Sequence, residues 1–354
     1  MLPSTTISAK ASMVKKGQPV EIPLTPMGEN EDVQEGVTPT GGPDQISTVE
    51  MTIQKIRRAK PIVWTGEEEL GVSGSGMLDP IHVEQYAQRV RALRNEMEQD
   101  ACLAAVIGAV EGGNVLGTIG TNPFASNTKA LTEALKILED NGAPTSDLQA
   151  VLNTTSGRNL RDIENLQKVN EAGTSSLLRH GALGSLFGFT IRESAGMFHY
   201  KGSANGYLVN GGASAGATQV TIDTGSGTFK ANDLVKFGSD TKYYVVKEDV
   251  ASGGTTLKLT TPLADDVADN AAVTVQAYHP NCAFARGSII LASRAPFVPP
   301  RGDNAIDRQI ITDPITGIPY ELAVWGAPYQ STITIATAWG VKNIKNENTV
   351  ALLG

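Results

Sequence analysis

The chain has 354 residues, 40% hydrophobic and 19% charged, which marks a globular protein with room for two or three domains. With 29 Lys+Arg against 37 Asp+Glu the formal net charge is −8, and no basic run of five or more occurs, which argues against nucleic-acid binding as a main activity. No apolar stretch is long enough for a spanning helix, and Cys102 and Cys282, the only cysteines, give no disulfide framework.

Met1 to Val20 contains Lys10, Lys15 and Lys16 with no apolar run after them, so no signal peptide is expected. Val20 to Glu67 reads as a long two-stranded ribbon with almost no core of its own, turning at Pro39, Gly41, Gly42 and Pro43. A lone hairpin is marginal in water, so the ribbon must lie on another part of this chain or on another copy of it. Its outgoing limb carries Glu29, Glu31, Asp32 and Glu35; its returning limb carries Lys55, Arg57, Arg58 and Lys60. With a turn near Gly41, Glu29 falls roughly opposite Lys55, and such cross-strand pairs contribute about 0.2–1 kcal/mol each. The sharper reading makes these eight residues inter-subunit contacts, which set register and exclude wrong partners more than they add affinity.

Gly71 to Gly76 suits a hinge. Asp79 offers an N-cap and Pro80 fits the first helical position. Val83, Tyr86, Val90, Leu93, Met97, Ala101 and Ala104 then form one apolar stripe at helical spacing. Carried to about Ala109 and stopped by Gly112-Gly113, that helix is a rod of roughly 45 Å. A second helix is expected over Asn127 to Glu139, ended by Asp140-Asn141-Gly142-Ala143-Pro144. Leu148 to Leu152 and Phe187 to Ile191 read as strands, Arg158 to Lys168 as a short helix, and Thr174 to His180 as a helical turn or two. Helices alternating with short strands indicate an α+β or α/β layer.

Between Ser203 and Tyr278 the texture changes to Gly, Thr, Val, Asp and Ala. Val220–Ile222, Leu234–Phe237, Tyr243–Val246, Leu257–Leu259 and Val273–Val275 are short apolar runs separated by turn residues, the pattern of a small barrel or sandwich spliced into the layer. Beyond His279 a short helix is expected around Arg286 to Ser293. Pro296, Pro299 and Pro300 then break the chain, and strands are expected at Tyr320–Trp325 and Thr332–Val341.

Catalytic signatures weigh little. Gly212-Ala213-Ser214-Ala215-Gly216 matches a nucleophile-elbow pattern, but a Gly-rich loop precedes it and a Thr/Val strand follows, the wrong context for that geometry. His82, His180, His199 and His279 are scattered without metal-ligand spacing. Glu67-Glu68-Glu69 cannot all point one way on a helix or strand and reads as a solvated face. Arg301-Gly302-Asp303 spells an adhesion tripeptide in a chain with no other sign of secretion. No catalytic residue, cofactor or metal is assigned.

Several segments together resemble tailed-phage coat proteins of the P-twenty-two type. They include Val49-Glu50-Met51-Thr52-Ile53, Trp64-Thr65-Gly66-Glu67-Glu68, Ile137-Leu138-Glu139-Asp140-Asn141-Gly142-Ala143-Pro144 and Lys168-Val169-Asn170-Glu171-Ala172-Gly173. Leu177-Leu178-Arg179-His180-Gly181-Ala182-Leu183-Gly184, Tyr278-His279-Pro280-Asn281 and Ala292-Ser293-Arg294-Ala295-Pro296 look like the same family. No single motif is decisive; their order and spacing from about Val20 to Gly354 carry the resemblance. It implies an α+β fold of the Hong Kong ninety-seven capsid type, divided as a 1–19 N-terminal arm, a 20–70 extended hairpin, a 77–111 spine helix, a 112–202 axial and peripheral layer, a 203–277 inserted β-barrel and a 278–354 return. One departure is that family members carry an apolar helical segment before the arm, whereas Met1 to Gly17 is short and polar.

The resemblance also implies a non-enzymatic major capsid protein in a virion assembled in a bacterial host's cytoplasm. Its partners would be copies of itself in hexamers and pentamers, a scaffolding protein, a portal and a decoration protein. It would enclose double-stranded DNA without reading its sequence and would need no membrane. The rival readings are an encapsulin-like nanocompartment shell, which shares the fold, a serine hydrolase acting through Ser214, and a β-rich adhesin.

Overall fold

The computed structural model describes residues 1–8, 14–24, 47–73, 78–168, 184–197, 202–275 and 277–354. In chain order, the first elements are strands β1 (Thr6–Ser8), β2 (Pro19–Leu24), β3 (Ser47–Thr52), β4 (Lys55–Arg58) and β5 (Ile62–Thr65), then helices α1 (Gly66–Ser73) and α2 (Leu78–Glu111). Next come β6 (Val115–Leu116), α3 (Lys129–Asp140), β7 (Leu148–Leu152), α4 (Thr154–Arg161), α5 (Glu164–Gln167), β8 (Ser185–Leu186) and β9 (Phe189–Glu193). Six short strands follow: β10 (Tyr207–Val209), β11 (Gln219–Asp223), β12 (Leu234–Phe237), β13 (Tyr244–Val245), β14 (Thr256–Lys258) and β15 (Ala272–Val275). The last are β16 (Pro280–Ala285), β17 (Ile289–Arg294), β18 (Ala305–Thr312), β19 (Pro319–Ala327), β20 (Gln330–Asn343) and β21 (Thr349–Leu353). The chain is a mixed α+β protein of two compact units: Met1–Thr6, Arg91–Ile290 and Lys342–Gly354 in the first, Ile7–Val90 and Leu291–Val341 in the second.

The first unit holds two six-stranded sheets. One has the order β6-β21-β16-β7-β9-β8, with β7 parallel to β9 and β21 parallel to β6. Its central strands β7, β16 and β21 are buried along their whole length, and such strands read as continuous apolar runs rather than alternating ones. Helix α3 covers one face through Leu131, Ala134 and Leu138. It ends where Gly142 takes a left-handed φ of 71° and the Ala143 N–H donates to the Leu138 carbonyl. Helix α4 is capped by Asn153, whose Oδ1 accepts from the Ser156 N–H at 2.7 Å. Asn281, fully buried on β16, accepts from the Asn153 N–H at 2.8 Å and donates to the Leu352 carbonyl at 3.1 Å, tying three segments together.

The other sheet, β13-β12-β15-β10-β11-β14, has a separate core of Tyr207, Val220, Ile222, Phe229, Phe237 and their neighbours. The Tyr207 and Phe229 rings lie 5.0 Å apart, and the Tyr207 hydroxyl donates to the Gly227 carbonyl while accepting from the Gly253 N–H. A satisfied hydroxyl lets a buried tyrosine fill a small core without stranding a polar group.

In the second unit, β20 is the axis of a seven-stranded sheet. Ile333 pairs with Val324 of β19 on one side and with Ile62 of β5 on the other, and Ala336 likewise pairs with Glu321 of β19 and Arg58 of β4. Strands β4 and β5 therefore lie along one edge, and β18, paired to β19, forms the opposite edge. Ile62, Trp64 and Ile333 make a small core with Ile81 and Tyr86 from the start of α2. There the Trp64 ring stacks on His82 at 5.1 Å and its Nε1 donates to Gln85 at 3.0 Å.

Several expectations are corrected. The helix expected at Arg286 to Ser293 is instead a turn at Gly287 and the strand β17. Its residues Ile289, Ile290 and Leu291 are buried on both faces, so no periodicity separates helix from strand. Gly71, expected in a hinge, lies inside α1; Gly74 and Gly76 fall outside the described residues. Helix α2 begins at Leu78, so Asp79 and Pro80 sit within its first turn, and its 34 residues span about 51 Å. The apolar stripe is buried at Leu93, Met97 and Ala101, but Val83 is 65% exposed. The Arg158 to Lys168 helix divides into α4 and α5, and Thr174 to His180 lies outside the described residues.

Candidate interaction surfaces

The base of the ribbon is a two-stranded ladder, β2 with β3, from Pro19 opposite Thr52 to Leu24 opposite Ser47. Val20 and Ile22 alternate as buried residues between exposed Pro19, Glu21 and Pro23, and Met51 and Ile53 are fully buried. The end of this ladder is locked to the sheet. Gln54 N–H donates to the Trp339 carbonyl at 3.0 Å, Gly17 N–H donates to the Ile53 carbonyl at 3.1 Å, and Gly340 packs directly on Thr52. Only a residue without a Cβ permits that approach.

This geometry overturns part of the ribbon reading. Residues 53–65 do not run back along the outgoing limb; they leave the ladder and join β20 of their own chain. Lys55 sits opposite Trp339 and Arg57 opposite Thr337, so the described ladder partner of Lys55 is on β20. The physical reason is non-local: β20 offers a long, buried partner strand, and ladder bonds there cover Ile62 and Trp64, which a free hairpin would leave wet. Arg57, Arg58 and Lys60 are exposed and Lys55 is half-buried. Glu29, Glu31, Asp32, Glu35 and the expected turn at Pro39 to Pro43 lie outside the described residues.

The acidic triplet has a local role. Thr65 and Glu68 form a capping box at the start of α1: Glu68 Oε2 accepts from the Thr65 N–H at 3.0 Å, and Thr65 Oγ1 accepts from the Glu68 N–H at 3.3 Å. These hydrogen bonds, the backbone one foremost, hold the Glu68 carboxyl below the usual carboxylate range. Glu69 accepts from the Ser331 hydroxyl at 3.2 Å.

Ser214 sits in a loop between β10 and β11, where Ala213 pairs with Val267 and the Ala215 N–H donates to Asp266; no strand-to-helix elbow is formed. Among the described residues no group of three His, Cys, Asp or Glu side chains could hold a metal ion, and no helix is long and apolar enough to cross a membrane. His180 and His199 lie outside the described residues. A cleft of about 370 Å³ in the first unit is lined by Val110, Gly113, Val115, Tyr243, Tyr244 and Pro262 among others.

The sequence reading missed the β18 edge. Ile306 is 73% exposed and Ile310 61%, and Ile311, Ile315 and Phe297 are also exposed. Tyr329, 94% exposed, takes a left-handed φ of 60° at the β19–β20 turn. Arg308 lies between two carboxylates on this edge, 2.5 Å from Asp303 and 2.5 Å from Glu321. Burial pushes the Glu321 carboxyl above its ordinary value, against the pull of Arg308. The hydrogen bond from Arg308 holds Asp303 below its own. Arg301-Gly302-Asp303 is thus a turn whose aspartate anchors Arg308 and accepts from the Ala305 N–H.

No protein-family model matches this chain, and no curated protein matches it. Among solved structures it is similar to one of Mycobacterium phage Che8, at 14% identity and TM-score 0.48, covering 95% of this chain and 85% of that one. It is also similar to the capsid of the cyanophage P-SCSP1u, at 13% identity and TM-score 0.45 over 99% and 86% of the two chains. A virus-like particle from Pyrococcus furiosus is similar at 10% identity and TM-score 0.41, over 99% and 91%.

Proposed function

We propose that this chain is the major capsid protein of a tailed double-stranded DNA phage. In this reading it is a non-enzymatic subunit that assembles in the host bacterial cytoplasm into hexamers and pentamers of an icosahedral shell. The fold is of the Hong Kong ninety-seven type: α2 is the spine helix, residues 20–70 hold the extended hairpin, and residues 203–277 are an inserted β-barrel. A scaffolding protein, a portal and a decoration protein are its expected partners, and DNA is enclosed without sequence-specific contacts.

One observation carries the reading. A ribbon is rooted firmly in a sheet of its own chain, and that same sheet presents open edges lined by exposed isoleucines and cations. Fully burying one such isoleucine contributes about 1.5–3 kcal/mol, so leaving several wet on one edge is a loss that association recovers. Individually weak contacts suffice when closure of a shell makes many of them act together. Lys55, Arg57, Arg58 and Lys60, with Glu29, Glu31, Asp32 and Glu35 of the outgoing limb, are assigned to contacts with a neighbouring subunit. The ordered run of segments resembling P-twenty-two-type coat proteins supplies the phage identity.

The test is sedimentation velocity on the purified 37.2 kDa chain and on an Arg57→Glu, Arg58→Glu, Lys60→Glu variant. Wild type should form fast-sedimenting closed particles, and the variant should remain a folded subunit. A variant that assembles normally would retire the interface assignment. Enzyme cargo in place of nuclease-protected DNA inside particles purified from the native source would favour the nanocompartment shell.

A further inference from the structure

The two open edges of the β20-centred sheet differ in charge and agree in apolar character. On one, β18 exposes Ile306, Ile310 and Ile311 together with the carboxylate of Asp307. Its one cation, Arg308, is held by both Asp303 and Glu321, so the cluster is net negative and Arg308 carries no unmet charge into an interface. On the other, β4 and β5 expose Ile56 and Val63 beside the cations Arg58 and Lys60. Among the described residues neither β18 nor the β4–β5 pair has a second strand neighbour.

We propose that the β18 edge of one copy docks on the β4–β5 edge of a second copy, head to tail. This deepens the shell reading by naming the surface that the basic residues Arg58 and Lys60 meet. Charge decides between occupants. A phosphate backbone or an anionic lipid surface would be repelled by Asp307 and the Asp303–Arg308–Glu321 cluster. The β4–β5 edge of a second copy supplies the complement, exposed Ile56 and Val63 beside the exposed cations Arg58 and Lys60. The register shift between Ala305 and Asp307 kinks the β18 backbone, and a kinked edge resists indiscriminate strand addition. Recognition therefore falls to side chains: isoleucine against isoleucine and valine, with Asp307 and the acidic cluster against Arg58 and Lys60. Because the two edges are different surfaces, the contact is heterologous, the type that builds a ring such as a capsomer when its rotation closes.

A charge swap tests this. Asp307→Lys and Arg58→Glu/Lys60→Glu are made separately and then combined in one chain, and each is examined by sedimentation velocity and by its thermal melt. Each single-edge variant is expected to melt near wild type yet lose at least about tenfold in the assembled fraction. The combined variant, with both edges reversed, should return to within about twofold of wild type. Ile306→Ser with Ile310→Ser should also lose assembly, and no charge change should rescue it. Normal assembly of Asp307→Lys, or a folded combined variant that stays unassembled, would overturn the edge contact while wild-type particles leave the shell reading intact. Rings that obey the swap but never close into particles would sustain the edge contact and sink the shell. A wild-type chain monomeric at every concentration would overturn both.

Discussion

Gly340→Ala is the sharpest probe of how the ribbon is rooted. A Cβ added at Gly340 would overlap the Thr52 carbonyl oxygen and sit 3.0 Å from its carbon and 3.2 Å from Cα of Ile53. Every one of those neighbours is backbone, so no side chain can swing aside; the ribbon base must move by an ångström or more. Forced overpacking of this kind costs about 1–3 kcal/mol. The shift also strains the Gln54-to-Trp339 hydrogen bond, whose loss adds about 1 kcal/mol. A total of about 2–4 kcal/mol corresponds to a fall of roughly 5–15 °C in Tm for a unit of this size. Calorimetry on dilute, unassembled subunit reads that fall, and hydrogen exchange at the Gln54 amide should accelerate. Gly326→Ala is the control: its Cβ meets only the flexible end of Ile306, at 2.5 Å, and should change Tm by no more than about 2–4 °C. A Gly340→Ala protein melting with wild type would show that the ladder is not seated on β20 as described.

Asn281→Ala removes the side chain that bridges the buried Asn153 N–H and the Leu352 carbonyl, so both lose that partner. Urea denaturation should show a loss of about 2–4 kcal/mol. Cys102 and Cys282 are fully buried, with burial pushing the first thiol well up and the second up to about 12. Ellman's reagent should therefore label both only in denaturant, and fast labelling of the native chain would contradict their placement. Around Arg308 two carboxyls should titrate in opposite senses, read by carboxyl-carbon NMR. Glu321 binds its proton more tightly folded than unfolded, so its contribution to stability grows as pH falls from above its raised folded value toward its ordinary one. Asp303 contributes above its ordinary value and loses that as pH falls through its depressed folded value. Arg308→Met should move both titrations upward; Glu321 titrating below Asp303 in the wild type would refute the arrangement.

What the sequence made legible follows from where the information lies. Met97 and Ala101 sit on a helical stripe, and Leu234–Phe237 is a short apolar run between turn residues, so local pattern suffices for both. The strand at Ile289 to Arg294 was hidden because burial on both faces erases the alternation that distinguishes strand from helix. The destination of Lys55 to Thr65 was hidden for another reason. Pairing with β20 joins residues almost three hundred positions apart, and nothing in the local spacing of Arg57 or Trp64 names that partner. The β18 edge has no local signature, because Asp307, Arg308 and Gln309 interrupt the apolar pattern between Ile306 and Ile310. Helix α1 is obscured by Gly71, which reads as a breaker, although Thr65 and Glu68 at its start have the spacing of a capping box.

The most direct test of the shell assignment is electron microscopy of the purified chain, alone and co-expressed with a scaffolding partner. Uniform closed particles built from rings of this subunit, with the β2–β3 ribbon reaching across a neighbour, are the expected result. A population of monomers or small open oligomers under every condition, with the ribbon folded wholly onto its own chain, would contradict it.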